Sequence, residues 1–317
     1  MADEENHQLS VDAGGQGLLA ALNGAMPEAP AWFAEAVAHP KEQARLTVAG
    51  AEVHALAWGE RGKPALLLLH GNGAHAHWWD FIAPYFANGR RVIAPTWSGM
   101  GDSAWRPAYG VDFCVAEAMA VAEALGAFES AEKPLIVAHS FGGYPALALA
   151  ADHGDRFKGV VSVDSPVEPP DEDLGGPPQR HKPNRIYPTF EAILARFRLA
   201  PPQPCENLFA VDHIARHSIK KTESGYTWKF DPFIWKDFQD RDAADLMRAA
   251  RCPVAVVWGE RSILMSPKTL AHMRNILPAG SPFVPIPAAA HHVMLDQPLA
   301  FVTALRGLMS VWPPEVG

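Results

Sequence analysis

The stretch "LIVAHSFGGYPALALA", Leu135–Ala150, decides the fold. Its first residues form an apolar run of strand length, and its last residues have helical composition. Between them stands Ser140. Small residues flank it: Ala138 two positions before, Gly142 two after, then Gly143. A strand that turns sharply into a helix lifts the residue at the turn above the sheet, and small neighbours keep strand and helix from clashing. The helix N-terminus below the turn adds free N–H groups and a positive partial charge, which suits a developing oxyanion. The plainer alternative is a serine that only caps a helix.

Working outward, the same continuous apolar run recurs in "PALLLLHG", where glycine ends it, and in "RRVIAPTW", "KGVVSVDSP" and "CPVAVVWGE". Such runs mark strands buried on both faces. "ARLTVAGAEVHALAWG" reads as two strands joined at Ala49–Gly50. Helical stretches lie between several of them, most clearly "VDFCVAEAMAVAEALGA". The alternation predicts an α/β fold, a mostly parallel central sheet of about eight strands flanked by helices. One interval breaks the rhythm. From 165 to 250 no buried parallel strand is expected, and the segment opens with the proline- and charge-rich "SPVEPPDEDLGGPPQRHKPNR". It is read as a mainly helical cap (lid) inserted after the sixth strand. The predicted organisation is therefore a leader over 1–40, partly disordered at its tip or helical, a core over 41–164 and 251–317, and a cap over 165–250.

The net charge of −8 over 317 residues argues against nucleic acid and anionic membranes as partners. Three cysteines without a CxxC pair support neither a disulfide framework nor a thiolate zinc site, and suit a reducing compartment. The acidic start "MADEENHQLS" is unlike a secretory signal, and "ALLLLHG" is far too short to span a membrane. A soluble cytoplasmic protein is expected. The oligomeric state is left open, a homodimer included.

With strand, elbow and helix in place, the chain resembles the α/β-hydrolase family. The family pattern G-x-S-x-G reads here Ala138–His139–Ser140–Phe141–Gly142, with alanine keeping the small size of the first position. "LLLLHGNGAHAHWWD" is similar to the family's loop after its third strand. The resemblance implies that the backbone N–H groups of Asn72 and Phe141 form the oxyanion hole. "APTWSGMGDS" resembles the family's glycine-rich loop, where Gly99 and Gly101 allow turns other residues resist. "PIPAAAHHVMLDQP" resembles its C-terminal histidine loop and puts His291 at the catalytic position, with His292 as the neighbour. The resemblance covers roughly 43–165 and 250–313.

The acid departs from the pattern. In "VAVVWGERSILM" the family's usual aspartate position holds Ser262, which cannot ionise. Glu260 is two residues early. Asp164, at the end of "VVSVDSP", is the preferred acid, because some members place it after this earlier strand and catalytic groups gather at C-terminal strand ends. Glu260 is the alternative, and Asp164 has the plain reading of a turn residue before Ser-Pro.

The resemblance implies a serine hydrolase that cleaves a small to medium hydrophobic carboxylic ester through an acyl-enzyme. Ser140 is the nucleophile, His291 the base and then acid, Asp164 the orienting acid, and no cofactor or metal is called for. Trp79, Phe141, Trp228, Phe230, Ile263 and Leu264 are expected near the substrate. A lactonase, an acyltransferase or a hydrolase of carbon–carbon bonds would use the same groups. A slow-turnover ligand-binding sensor of the same fold is the reading from another class. "HAHWWD" brings His75, His77 and Asp80 together, but no histidine follows the aspartate, so a metal site is not expected from it. No P-loop or dinucleotide glycine motif is present.

Overall fold

The computed structural model describes residues 17–172, 175–176 and 179–312. The expected disorder of the leader's tip concerns residues outside these. Ten strands are seen: β1 (Glu42–Val48), β2 (Ala51–Trp58), β3 (Ala65–Leu69), β4 (Arg91–Pro95), β5 (Leu135–His139), β6 (Gly159–Val163), β7 (Ile219–Thr222), β8 (Gly225–Trp228), β9 (Val254–Gly259) and β10 (Phe283–Ile286). Eight form one sheet in the order β1-β2-β4-β3-β5-β6-β9-β10, and β7 with β8 forms a separate hairpin. β1 and β2 pair antiparallel, as do β2 and β4; every other pair in the large sheet is parallel. The β1–β2 turn lies at Ala49 and Gly50, both at positive φ, which suits the twist of a tight hairpin.

The continuous apolar runs are buried on both sides because successive side chains face opposite layers. Leu66, Leu68, Val137 and Val161 join one core cluster, and Leu67, Leu69, Ile136 and Val160 join the other. Helices α3 (Val111–Ala124), α4 (Gly143–His153), α7 (Ala243–Arg248) and α8 (Pro267–Ile276) contribute to the second cluster; α1 (Ala31–Ala38) and α10 (Pro298–Ser310) contribute to the first. The short helices α2 (Pro84–Ala87) and α9 (Val293–Asp296) lie at loop ends. No helix among the described residues is long and apolar enough to cross a membrane.

Between β6 and β9 the chain forms α5 (Phe190–Leu194), α6 (Leu208–His217), the β7–β8 hairpin and α7. The last of these packs on α4 and α8. The hairpin was not expected from the sequence. Its strands are only four residues each, and "IKKT" carries two lysines, so no hydrophobic alternation announces it.

The leader is partly helical and well seated. Phe33 of α1 is buried, with ring centroids 5.4 Å from Phe81 of the core and 4.8 Å from Phe209 of α6. Arg216 of α6 donates to the Gly24 carbonyl. The leader therefore bridges the sheet layer and the inserted segment.

Candidate active site

Ser140 follows β5 directly, opens a single 3-10 turn and has φ +53°. A non-glycine residue at positive φ is strained, and such strain collects at functional turns. The tight packing beneath it explains the small neighbours. A Cβ on Gly142 would lie 2.6 Å from the His70 carbonyl oxygen and 2.8 Å from that of Leu69. A Cβ on Gly71 would lie 3.0 Å from the Ser140 Cβ, so the loop after β3 reaches the serine itself.

The His291 imidazole joins two chain regions. Its Nε2 is 2.9 Å from Ser140 Oγ, and its Nδ1 is 2.7 Å from Asp164 Oδ1. Since a carboxylate only accepts, Nδ1 carries the proton toward Asp164 and Nε2 presents its lone pair to the serine hydroxyl. Asp164 is fully buried at the C-terminal end of β6, with φ +47°. It accepts from the Gly259 N–H at 2.8 Å and from the Ser262 hydroxyl at 2.6 Å. Ser262, at the family's usual aspartate position, is thus a donor to the carboxylate that sits one strand away. Glu260 is exposed, and its carboxylate lies beside the Ala288 N–H at 3.4 Å, away from His291. Gly259 has no room for a side chain, because a Cβ would overlap the Ala289 and Ala290 carbonyls. That close approach sets the histidine loop against the end of β9.

Three buried histidines surround this arrangement. His70 donates from Nδ1 to the Gly71 carbonyl at 2.8 Å and accepts the Trp97 N–H at Nε2, which pins the loop that faces Ser140. Burial pushes its pKa down to about 3. His139 donates to the His291 carbonyl at 3.0 Å. Burial, together with the neighbouring His291, holds both His139 and His292 well below the ordinary histidine range. The parts played by His70 and His139 are not legible in the sequence. Each stands next to a motif residue, but burial and partner are visible only in three dimensions.

A cavity of about 470 Å³ lies between the core and the inserted segment. Asn72 and His292, the neighbours of Gly71 and His291, line it; Ser140 and His291 are not among its lining residues. Trp228 and Phe230 line it as expected. Trp79, Ile263 and Leu264 do not. Trp79 is fully buried in the core, and its neighbour Trp78 turns to the cavity instead. Ile263 is 70% exposed, since the loop runs outward once the Ser262 side chain is tied to Asp164. The Phe141 ring packs edge-on against Trp235 at 5.1 Å, and the Trp235 indole donates to the Asn72 side chain. Arg180, Arg185, Arg196 and Arg198 line the outer part of the cavity, all four exposed. Asp231, the one acid among the described lining residues, is engaged by the Tyr109 hydroxyl and the Phe233 N–H.

The sheet order, the strained serine after β5 and the imidazole beside it define the α/β-hydrolase class. The chain belongs to the alpha/beta hydrolase family, whose sequence model matches residues 66–305. It is similar to esterase Rv0045c of Mycobacterium tuberculosis, with 27% identity over 282 residues that cover 85% of this chain and 90% of that protein. A shorter match, 40% identical over 107 residues, is to 2-hydroxymuconate semialdehyde hydrolase of a Pseudomonas species, covering 32% of this chain and 36% of the relative. Among solved structures, the thioesterase domain from the curacin biosynthetic pathway superposes with a TM-score of 0.70 at 22% identity, over 84% of this chain and all of that one. At that identity the likeness concerns the fold.

Proposed function

We propose that the protein is a serine hydrolase of carboxylic esters. The observation that carries this reading is the unbroken hydrogen-bonded line from Ser140 Oγ through His291 to Asp164. Ser140 Oγ attacks the ester carbonyl carbon while His291 Nε2 takes its proton. The tetrahedral oxyanion is held by the N–H groups of Asn72 and Phe141, a reading supported by the contact of Gly71 with Ser140. His291 then gives its proton to the departing alcohol oxygen, leaving an acyl-enzyme. Water, deprotonated by the same imidazole, attacks the acyl carbon, and the collapse releases the acid and restores Ser140. Asp164 fixes the tautomer and stabilises the imidazolium. The aromatic inner wall at Trp78, Trp228 and Trp235 supports a hydrophobic group beside the scissile bond.

Turnover of p-nitrophenyl esters tests this. The wild type should turn over many equivalents, and Ser140→Ala should lose activity by several orders of magnitude. A ligand sensor would instead show thermal stabilisation by the ester with little turnover.

A second reading is favoured by the four arginines on the outer cavity wall, in a chain that is acidic as a whole. Exposed guanidiniums around a mouth attract and orient carboxylates. They support a substrate with a carboxylate remote from the reacting carbonyl, either an ester or a vinylogous diketone cleaved at carbon–carbon, in line with the muconate semialdehyde relative. The p-nitrophenyl monoester of a dicarboxylic acid, compared with the neutral ester of equal length, discriminates: kcat/KM favours the anionic ester if the arginines read it, and Arg180→Gln with Arg185→Gln removes the preference.

A further inference from the structure

Five of the histidines gather away from Ser140, where α6 meets the loop after β3. His77 and Asp80 come from that loop, and His213 and His217 lie one turn apart on one face of α6. One nitrogen from each imidazole and one Asp80 oxygen all fall within 4.8 Å of each other. Asp80 is already the hub: its Oδ2 accepts from His77 Nδ1 at 2.8 Å and from His213 Nε2 at 2.9 Å, while Lys41 sits 2.9 Å from Oδ1. His217 stacks on His77 with centroids 3.8 Å apart, yet no hydrogen bond to its ring is seen among the described residues. His54 and His75 complete the group, their rings within 6.0 Å of His77.

We propose that His77, Asp80, His213 and His217 form a binding site for a borderline divalent transition-metal ion of the zinc type, which ties α6 to the core. Three imidazoles with one carboxylate is a donor set such ions favour. Tetrahedral coordination at about 2.1 Å needs donors roughly 3.4 Å apart, so a contraction of side-chain size is enough. On binding, His77 and His213 move their protons to the opposite ring nitrogen and present lone pairs where they now donate to Asp80. Lys41 keeps Oδ1, leaving Oδ2 for the ion. His77 and Asp80 are buried while His213 and His217 are half-buried, which gives the ion a solvent-side entry.

A second histidine group, His139, His291 and His292, has comparable spacing. It does not compete as a resident site, because both His291 ring nitrogens serve Asp164 and Ser140.

The sequence motif around His75, His77 and Asp80 lacked its closing histidine, and α6 supplies two from more than a hundred residues downstream.

The test is titration of the full chain, stripped by chelator, with Co²⁺ followed by visible absorption and with Zn²⁺ followed by calorimetry. One ion per chain is expected, with the intense bands of tetrahedral Co²⁺ and a raised thermal midpoint. His77→Gln and His217→Gln should each lose the tetrahedral spectrum while still hydrolysing p-nitrophenyl ester. A wild type without tetrahedral Co²⁺, or a spectrum that survives in both variants, overturns the proposal. The wild-type titration decides by itself should either variant fail to fold.

Discussion

At the scale of single residues, the central question is which carboxylate serves His291. Asp164 touches it and is wholly buried; Glu260 is exposed and turned away. Asp164→Asn should lower kcat roughly 10⁴-fold, as loss of the triad acid does in serine proteases. Glu260→Gln should stay near wild type, and steady-state kinetics on one ester compares the two. Ser262 gives a finer check. Its hydroxyl makes one of three hydrogen bonds to Asp164, and a bond to a charged group is worth about 1.5–3 kcal/mol. Ser262→Ala should therefore cut kcat by roughly one to two orders of magnitude, less than Asp164→Asn, with KM little changed. Ser140 and His291 were legible because their motifs fix both residue and spacing. Asp164 was legible as the end of a buried strand. The pocket residues were less so: one position along a 3-10 turn separates Trp79, buried in the core, from Trp78 on the cavity, and no periodicity in "HAHWWD" distinguishes them.

At the scale of elements, the leader helix α1 is the piece whose role the sequence hid. The prolines of "MPEAPAW" read as breakers, yet Pro30 caps a helix whose Phe33 wedges between Phe81 and α6. Emptying a buried aromatic site costs about 3–5 kcal/mol. Phe33→Ala should lower the unfolding free energy by about 3 kcal/mol in urea, and raise KM through a loosened α6 more than it lowers kcat. The edge strand β10 was hidden for a related reason. Pro285 interrupts its run, and proline is tolerated there because an edge strand has one side free of ladder bonds. By contrast, the central strands were readable as whole elements, since burial on both faces leaves them almost wholly apolar, with Ser162 inside β6 and His139 at the end of β5 the exceptions.

At the scale of the whole molecule, the buried histidines couple stability to pH. His70, His139 and His292 are held neutral in the fold by burial, each below its ordinary value of about 6.5. The unfolded chain binds protons at these positions once the pH falls below about 6.5, and the fold does not. Stability is therefore unaffected above that pH and lost progressively below it, until the folded pKa values are reached, about 3 for His70. These three alone amount to roughly 4 kcal/mol between pH 7.5 and 5.5, a lower bound because burial also depresses His54, His75 and His217. Urea unfolding at the two pH values should show this loss, with net proton uptake on unfolding at the lower one. The order of the sheet and the meeting of α6 with the loop after β3 could not be read from local pattern, because both depend on contacts between distant segments.

The most direct measurement is the identity of the residue that a fluorophosphonate ester modifies. Peptide mapping by mass spectrometry should place a single phosphonyl group on Ser140. Labelling should vanish in Ser140→Ala and slow strongly in His291→Ala and Asp164→Asn. A phosphonyl group mapped to another serine, or undiminished labelling of Ser140→Ala, would contradict the account.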